Sequence, residues 1–174
     1  MIARRHGWVA LVLAVSAGAV ALLRTTADPA DLQAQIMDRM RTTLESADPA
    51  QHQHAGHGAQ QAGTVICGVR SYGYEPADAS SYDEVKTVYG FHLCGVAEPQ
   101  RPWDVAVKLA GPVILDMTAD PIGIQVVEAT AEVKYADRLR QMFPPEYADL
   151  AAREALSDEE MASLRSRYDD AAGL

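Results

Sequence analysis

His52, His54 and His57 place three imidazoles within six residues, in the pattern His-x-His-x-x-His. Imidazole nitrogen is a good ligand for Zn²⁺, Cu²⁺ and Ni²⁺, and Asp48 is near enough along the chain to add a carboxylate oxygen. The spacing therefore suits capture of one divalent ion. The surroundings argue otherwise, because metal sites normally sit on ordered elements with a second shell of hydrogen bonds. Residues 47–63 contain no large apolar side chain, so they cannot bury enough surface to offset the entropy of ordering them. The segment reads as a flexible His/Gln/Gly linker that requires no cofactor, with Zn or Cu capture as its alternative use.

Cys67 and Cys94 are the two cysteines of the chain. Neither belongs to a Cys-x-x-Cys motif, which leaves little support for a redox or nucleophilic thiol. In an oxidising compartment they are expected to pair, since neighbouring antiparallel strands bring Cα atoms to the ~5.5 Å that a disulfide needs. Closing that loop contributes on the order of 3–4 kcal/mol, less any strain.

Acid–base candidates are scattered. His92 falls in a β-type run and Asp104, Asp116, Asp120, Glu128 and Glu132 lie beyond it; carboxylates and imidazoles can do proton transfer, but no spacing pairs them. There is no Gly-x-Ser-x-Gly elbow, His-Glu-x-x-His motif, phosphate-cradling glycine loop or calcium loop. Tyr72, Tyr74 and Tyr82, with Pro76 and serines between them, read as a tyrosine-bearing loop at one end of a sheet. Such a loop either binds a partner or caps a small core.

The compartment follows from the N-terminus. Arg4 and Arg5 precede an uncharged run from Gly7 to Leu23, 17 residues long. At about 1.5 Å of rise per residue this is the lower limit for spanning a ~30 Å hydrocarbon core, and it exceeds the ~7–15 residues of a usual signal-peptide core. Residues 1–27 thus read as a signal anchor or a cleaved signal peptide. The basic flank keeps the N-terminus cytoplasmic, so the rest of the chain is expected outside the cytoplasm, as a single-pass membrane protein or, after cleavage, a secreted one. Cys67 and Cys94 are too far downstream to accept a lipid anchor.

Of 15 basic residues, three arginines lie in residues 1–27, which hold no acid; the remaining 12 basic and 24 acidic side chains leave a formal charge of −12. A surface that acidic repels phosphate backbones, which argues against a nucleic-acid partner. The chain has three lysines against twelve arginines and is rich in alanine, a codon bias that suits a GC-rich bacterial genome.

The elements that must position these residues follow from local pattern. Asp28-Pro29 predicts a helix start, and Leu32, Ile36, Met37, Met40 and Leu44 form one apolar stripe over residues 28–46. From Thr64 the texture turns β-branched and aromatic, and residues 64–174 read as one α+β domain. Strands are expected at Thr64–Arg70, at Val85–Cys94, at Asp104–Met117 with a break at Ala110-Gly111-Pro112, and at Ile122–Tyr135. In the second strand Val85, Thr87, Tyr89, Phe91 and Leu93 share one parity and are expected to face the core, which would leave His92 and Cys94 on the outer face. In the fourth, a bulge near Val126-Val127 would keep both apolar sets on one side. Phe143-Pro144-Pro145-Glu146 predicts a helix to about Leu156, and Ser157-Asp158-Glu159-Glu160 is a capping box for another.

Four strands with short connections, flanked rather than interleaved by helices, predict a single domain with a four-stranded antiparallel, curved sheet, an N-terminal helix and C-terminal helices. Cystatin-like and nuclear-transport-factor-like folds have a similar architecture, but no family-specific motif supports more than that. The functional expectation is a membrane-tethered or secreted domain that binds a protein or small ligand through its sheet or tyrosine loop, without catalysis. A small hydrolase or isomerase using His92, Asp104 or Glu128 is the second reading, and metal capture the third.

If Cys67 and Cys94 pair, free-thiol titration of the denatured, unreduced protein finds no thiol per chain; two would contradict the pairing.

Overall fold

The structure, a computed structural model, describes residues 28–47 and 63–174. The expected membrane segment and the histidines His52, His54 and His57 lie outside the described residues. No helix among the described residues is long and apolar enough to cross a membrane.

Helix α1 spans Pro29–Ser46, as the stripe predicts. Asp28 accepts a hydrogen bond from the Ala30 amide at 2.9 Å and Pro29 occupies the first turn, so an otherwise orphaned donor is satisfied where proline's missing N–H costs nothing. Leu32, Ile36, Met40 and Leu44 are buried along one face, each worth about 1.5–3 kcal/mol of apolar transfer.

The sheet has four antiparallel strands in the order β1 (Thr64–Glu75), β2 (Thr87–Ala97), β3 (Lys108–Asp116) and β4 (Gly123–Val126). It forms a single domain with α1 and three C-terminal helices, α2 (Tyr135–Met142), α3 (Pro145–Ala151) and α4 (Asp158–Ala172). The helices cover both faces of the sheet. Against α1 lie Cys67, Val69, Val88, Cys94, Val113 and Leu115. On the opposite face Tyr89, Ile114 and Val127 pack with Leu139, Phe143 and Ala148, while Ile66 and Ala97 pack with Leu164 and Tyr168.

This two-sided burial corrects the expectation of one core face. Cys94, expected on the outer face, lies against α1 together with Val88, and His92, expected there too, is 1 % exposed. Of the odd set, Tyr89 is buried under the C-terminal helices, where it touches Phe143 edge-on at 5.3 Å and Tyr147 at 5.2 Å between ring centroids, and Leu93 is partly buried there; Thr87 and Phe91 are half-exposed, and Val85, just before the strand, packs on the α1 side. A strand covered on both sides loses the polar–apolar alternation on which a one-face assignment rests. Helix α1, placed by the sequence ahead of the domain, is therefore one of its three layers.

Other boundaries differ: β1 runs on to Glu75, and β3 begins at Lys108 and continues unbroken through Gly111 and Pro112. The fourth strand ends at Val126; Val127 alternates normally onto the opposite face, with no bulge, and the chain then leaves the sheet and forms α2 from Tyr135. Apolar residues at alternate positions across 127–135 mimic a strand, but the pairing with β3 stops after the Val127 amide, which donates to the Pro112 carbonyl at 3.1 Å. The predicted helix to Leu156 is the shorter α3, with Pro144 as its cap. The irregularity that does occur is in β1, between Ser71 and Gly73.

Close packing on the sheet requires glycine on both faces. A Cβ at Gly90 would meet Met40 Cε at 2.6 Å and the Arg70 carbonyl oxygen at 2.4 Å; one at Gly73 would fall 2.3 Å from the Tyr147 ring. Helix α4 is fixed by the expected capping box, in which Ser157 Oγ accepts from the Glu160 amide at 3.2 Å and Glu160 accepts from the Ser157 amide at 2.6 Å. At its far end Tyr168 donates to the Arg101 carbonyl at 2.9 Å and stacks edge-on against Trp103.

Candidate functional site

Between α1 and the β3–β4 hairpin lies an open cleft of about 680 Å³. One wall is a face of α1, on which Arg39, Thr42, Thr43 and Ser46 recur at helical spacing. The other wall is the hairpin, from Met117 through Asp120 and Pro121 to Ile124, and Tyr82 from the turn after β1 closes one side. Met117, Ile122 and Ile124 are partly buried against the α1 core, so the floor is apolar and continuous with that core.

The polar groups of the cleft differ in how committed they are. Thr42 Oγ1 donates to the Asp38 and Arg39 carbonyls at 3.0 and 3.1 Å, and Ser46 Oγ to those of Thr42 and Thr43 at 2.7 and 3.3 Å. Their protons are used within the helix, which leaves oxygen lone pairs toward the cleft. The hairpin turn is held by Asp116, which accepts from Thr118 Oγ1 at 2.6 Å and from its amide at 3.0 Å. Those hydrogen bonds, the hydroxyl one foremost, keep the Asp116 carboxyl below its ordinary pKa. Arg39 and Asp120 enter no ion pair among the described residues.

A second, narrower groove of about 250 Å³ follows the outer edge of β1 between α1 and α4. It is closed by polar contacts. Glu45 of α1 accepts the Cys67 amide at 2.9 Å, Arg167 of α4 donates to the Cys67 carbonyl at 2.8 Å, and Glu45 and Arg167 form an ion pair with each other. Farther along, Arg70 bonds Glu160 at 2.7 Å and Glu154 at 3.3 Å, and the Tyr72 hydroxyl donates to the Glu154 carbonyl.

The cysteines pair as expected: Cys67 and Cys94 face each other in the β1–β2 register, with Cα atoms 4.0 Å apart, and form a disulfide beneath α1. The three tyrosines do not form one loop: Tyr74 and Tyr82 both pack on the α1 core, and Tyr72 lies apart from them. Tyr72 and Tyr74 lie within β1 rather than in a loop, and the irregularity between Ser71 and Gly73 sends them to opposite faces, Tyr74 toward α1 and Tyr72 toward α2 and α3. Burial pushes the Tyr72 and Tyr89 hydroxyls up to about 12. Tyr82 alone of the three expected residues lines the cleft.

The acid–base candidates are separated by the sheet. His92 is buried on the α1 side. Asp104 is exposed beyond β2 and pairs with Arg165 of α4 at 3.1 Å, on the other side. Glu128 follows β4, half-buried. Among the described residues no three His, Cys, Asp or Glu side chains cluster in a way that would hold a metal ion. Sequence reasoning passed over Arg39 and Thr43, which read as the solvated side of an amphipathic helix; only the fold of the β3–β4 hairpin toward them makes a cleft.

No family model, curated protein or solved structure matches this chain.

The Arg70–Glu160 pair has a pH signature. Burial opposes ionisation of Glu160, but the hydrogen bonds from Arg70 and Ser157, with the charge of Arg70, outweigh it and hold the carboxyl below its ordinary 4.5. A folded-state pKa lowered in this way contributes stability above about pH 4.5 that is lost as pH falls through the folded value. Urea unfolding between pH 6 and pH 3 is expected to show Glu160→Gln with lower stability at pH 6 and a shallower loss below pH 4.5 than the unaltered protein; parallel curves would contradict this.

Proposed function

We propose that the chain is an extracytoplasmic binding domain, held at the membrane by its N-terminal segment or released by cleavage of that segment, and that it binds its ligand in the α1/β3–β4 cleft without catalysing a reaction on it. The cleft carries the reading. Its ~680 Å³ falls in the usual ~300–1,000 Å³ range of small-ligand sites, and an apolar floor under a few polar groups is their common composition. The sheet faces first considered for binding are both covered by helices, so recognition moves to this edge of the molecule, where Tyr82 still takes part. The disulfide supports an oxidising compartment, as does the charge pattern of residues 1–27.

His92 and Asp104 lie on opposite sides of the sheet, which favours the binding reading over a hydrolase or isomerase that pairs them. The histidine segment keeps its place as a spacer between α1 and β1 with metal capture as a separate use.

Two measurements test the proposal. Alkaline phosphatase fused after Leu174 is expected to be active in bacterial cells and inactive once residues 1–27 are deleted; equal activity would contradict export by that segment. In the protein as purified from the cell, a low-molecular-weight extract of the host envelope is expected to give saturable amide shifts at Thr43, Tyr82 and Ile124. These are abolished by Thr43→Trp, which fills the cleft. An extract that leaves the cleft amides unmoved would overturn the binding reading.

A further inference from the structure

The two walls of the cleft carry opposite charges. Arg39 projects from α1 and Asp120 from the turn of the β3–β4 hairpin. Neither is neutralised by an ion pair among the described residues, although both arginines that line the second groove are, Arg41 with Asp38 and Arg167 with Glu45. Between the walls the floor is Met117, Ile122 and Ile124.

Resting on the binding reading above, we infer that the ligand is a small zwitterion with an apolar body: a free carboxylate met by Arg39, a free ammonium met by Asp120, and aliphatic side chains on the floor. A simple anion would satisfy Arg39 but face the Asp120 carboxylate, a simple cation would do the reverse, and a neutral apolar molecule would leave both charges without a partner. A planar guanidinium takes a carboxylate in a two-pronged geometry that a hydroxyl or amide does not match. The hydroxyl oxygens of Thr42 and Ser46, whose protons are used within α1, are left as acceptors for further N–H groups of such a ligand. Short peptides and free aliphatic amino acids share this chemistry, and the extracytoplasmic side of a membrane is where peptide fragments of other proteins are met.

The test uses the protein as purified from the cell and amide shifts of Thr43, Tyr82 and Ile124 as the readout. Four probes are titrated: leucine, leucyl-leucine, N-acetyl-leucyl-leucine, which lacks the ammonium, and leucyl-leucine amide, which lacks the carboxylate. Saturable shifts are expected with leucyl-leucine or leucine, whichever source the cleft fits, and affinity about tenfold weaker or worse for both blocked forms. Arg39→Gln should weaken leucyl-leucine about tenfold while leaving the amide form unchanged, and Asp120→Asn should do the same with respect to the N-acetyl form. Equal binding of free and blocked forms, or indifference to both substitutions, would overturn the charge assignment while sparing the cleft as a binding site. If none of the four probes moves the cleft amides but the envelope extract does, the ligand class is wrong and the binding reading stands; if neither does, both fall.

Discussion

Cys67 is held from three directions. Its sulfur is bonded to Cys94 of the neighbouring strand, its amide donates to Glu45 of α1, and its carbonyl accepts from Arg167 of α4, while the two charged groups pair across it. It sits in β1, an edge strand. An edge strand presents a row of unpaired backbone groups that invite another chain, and at Cys67 both of those groups are satisfied by side chains from helices on opposite faces of the sheet. One residue thus ties together the three layers of the domain.

The rest of the arrangement depends on that tie. Helix α1 is seated on the sheet by tertiary contacts: the buried stripe of Leu32, Ile36, Met40 and Leu44, the close approach at Gly90, and the Glu45 anchor near its C-terminal end. The residues that line the cleft, from Arg39 to Ser46, occupy the same half of the helix as Glu45. Fixing Glu45 against Cys67 therefore fixes the cleft wall relative to the β3–β4 hairpin. The half-buried ion pair is stabilising chiefly because its partners are also hydrogen-bonded to backbone; an exposed pair of the same kind would contribute little.

What could be read from sequence was what local chemistry decides. The Asp28-Pro29 start of α1 and its apolar stripe, the capping box at Ser157 and Glu160, the pairing of Cys67 with Cys94 and the four-stranded antiparallel sheet all carry signals within a few residues of where they act. The rest depended on contacts distant in sequence. Nothing near Val88 or His92 tells that a helix fifty residues earlier will cover that face. The separation of Tyr72 from Tyr74 comes from one irregularity in β1, and without it the two would have shared a face. The cleft was the least legible feature, because Arg39 and Asp120 come from elements eighty residues apart and look locally like ordinary solvated charges. Tyr82 was noticed for its company of tyrosines and lines the cleft for a different reason, its place in the turn beside α1.

Glu45 and Arg167 act together in closing the three layers over Cys67. A double-mutant cycle with Glu45→Gln, Arg167→Gln and the pair, followed by urea unfolding of the oxidised protein at neutral pH, measures that coupling directly. The expected result is a coupling energy of about 1 kcal/mol or more, the double variant losing clearly less stability than the two single losses added together. Strictly additive losses, with coupling within about 0.3 kcal/mol of zero, would contradict this and show that the two helices are held independently.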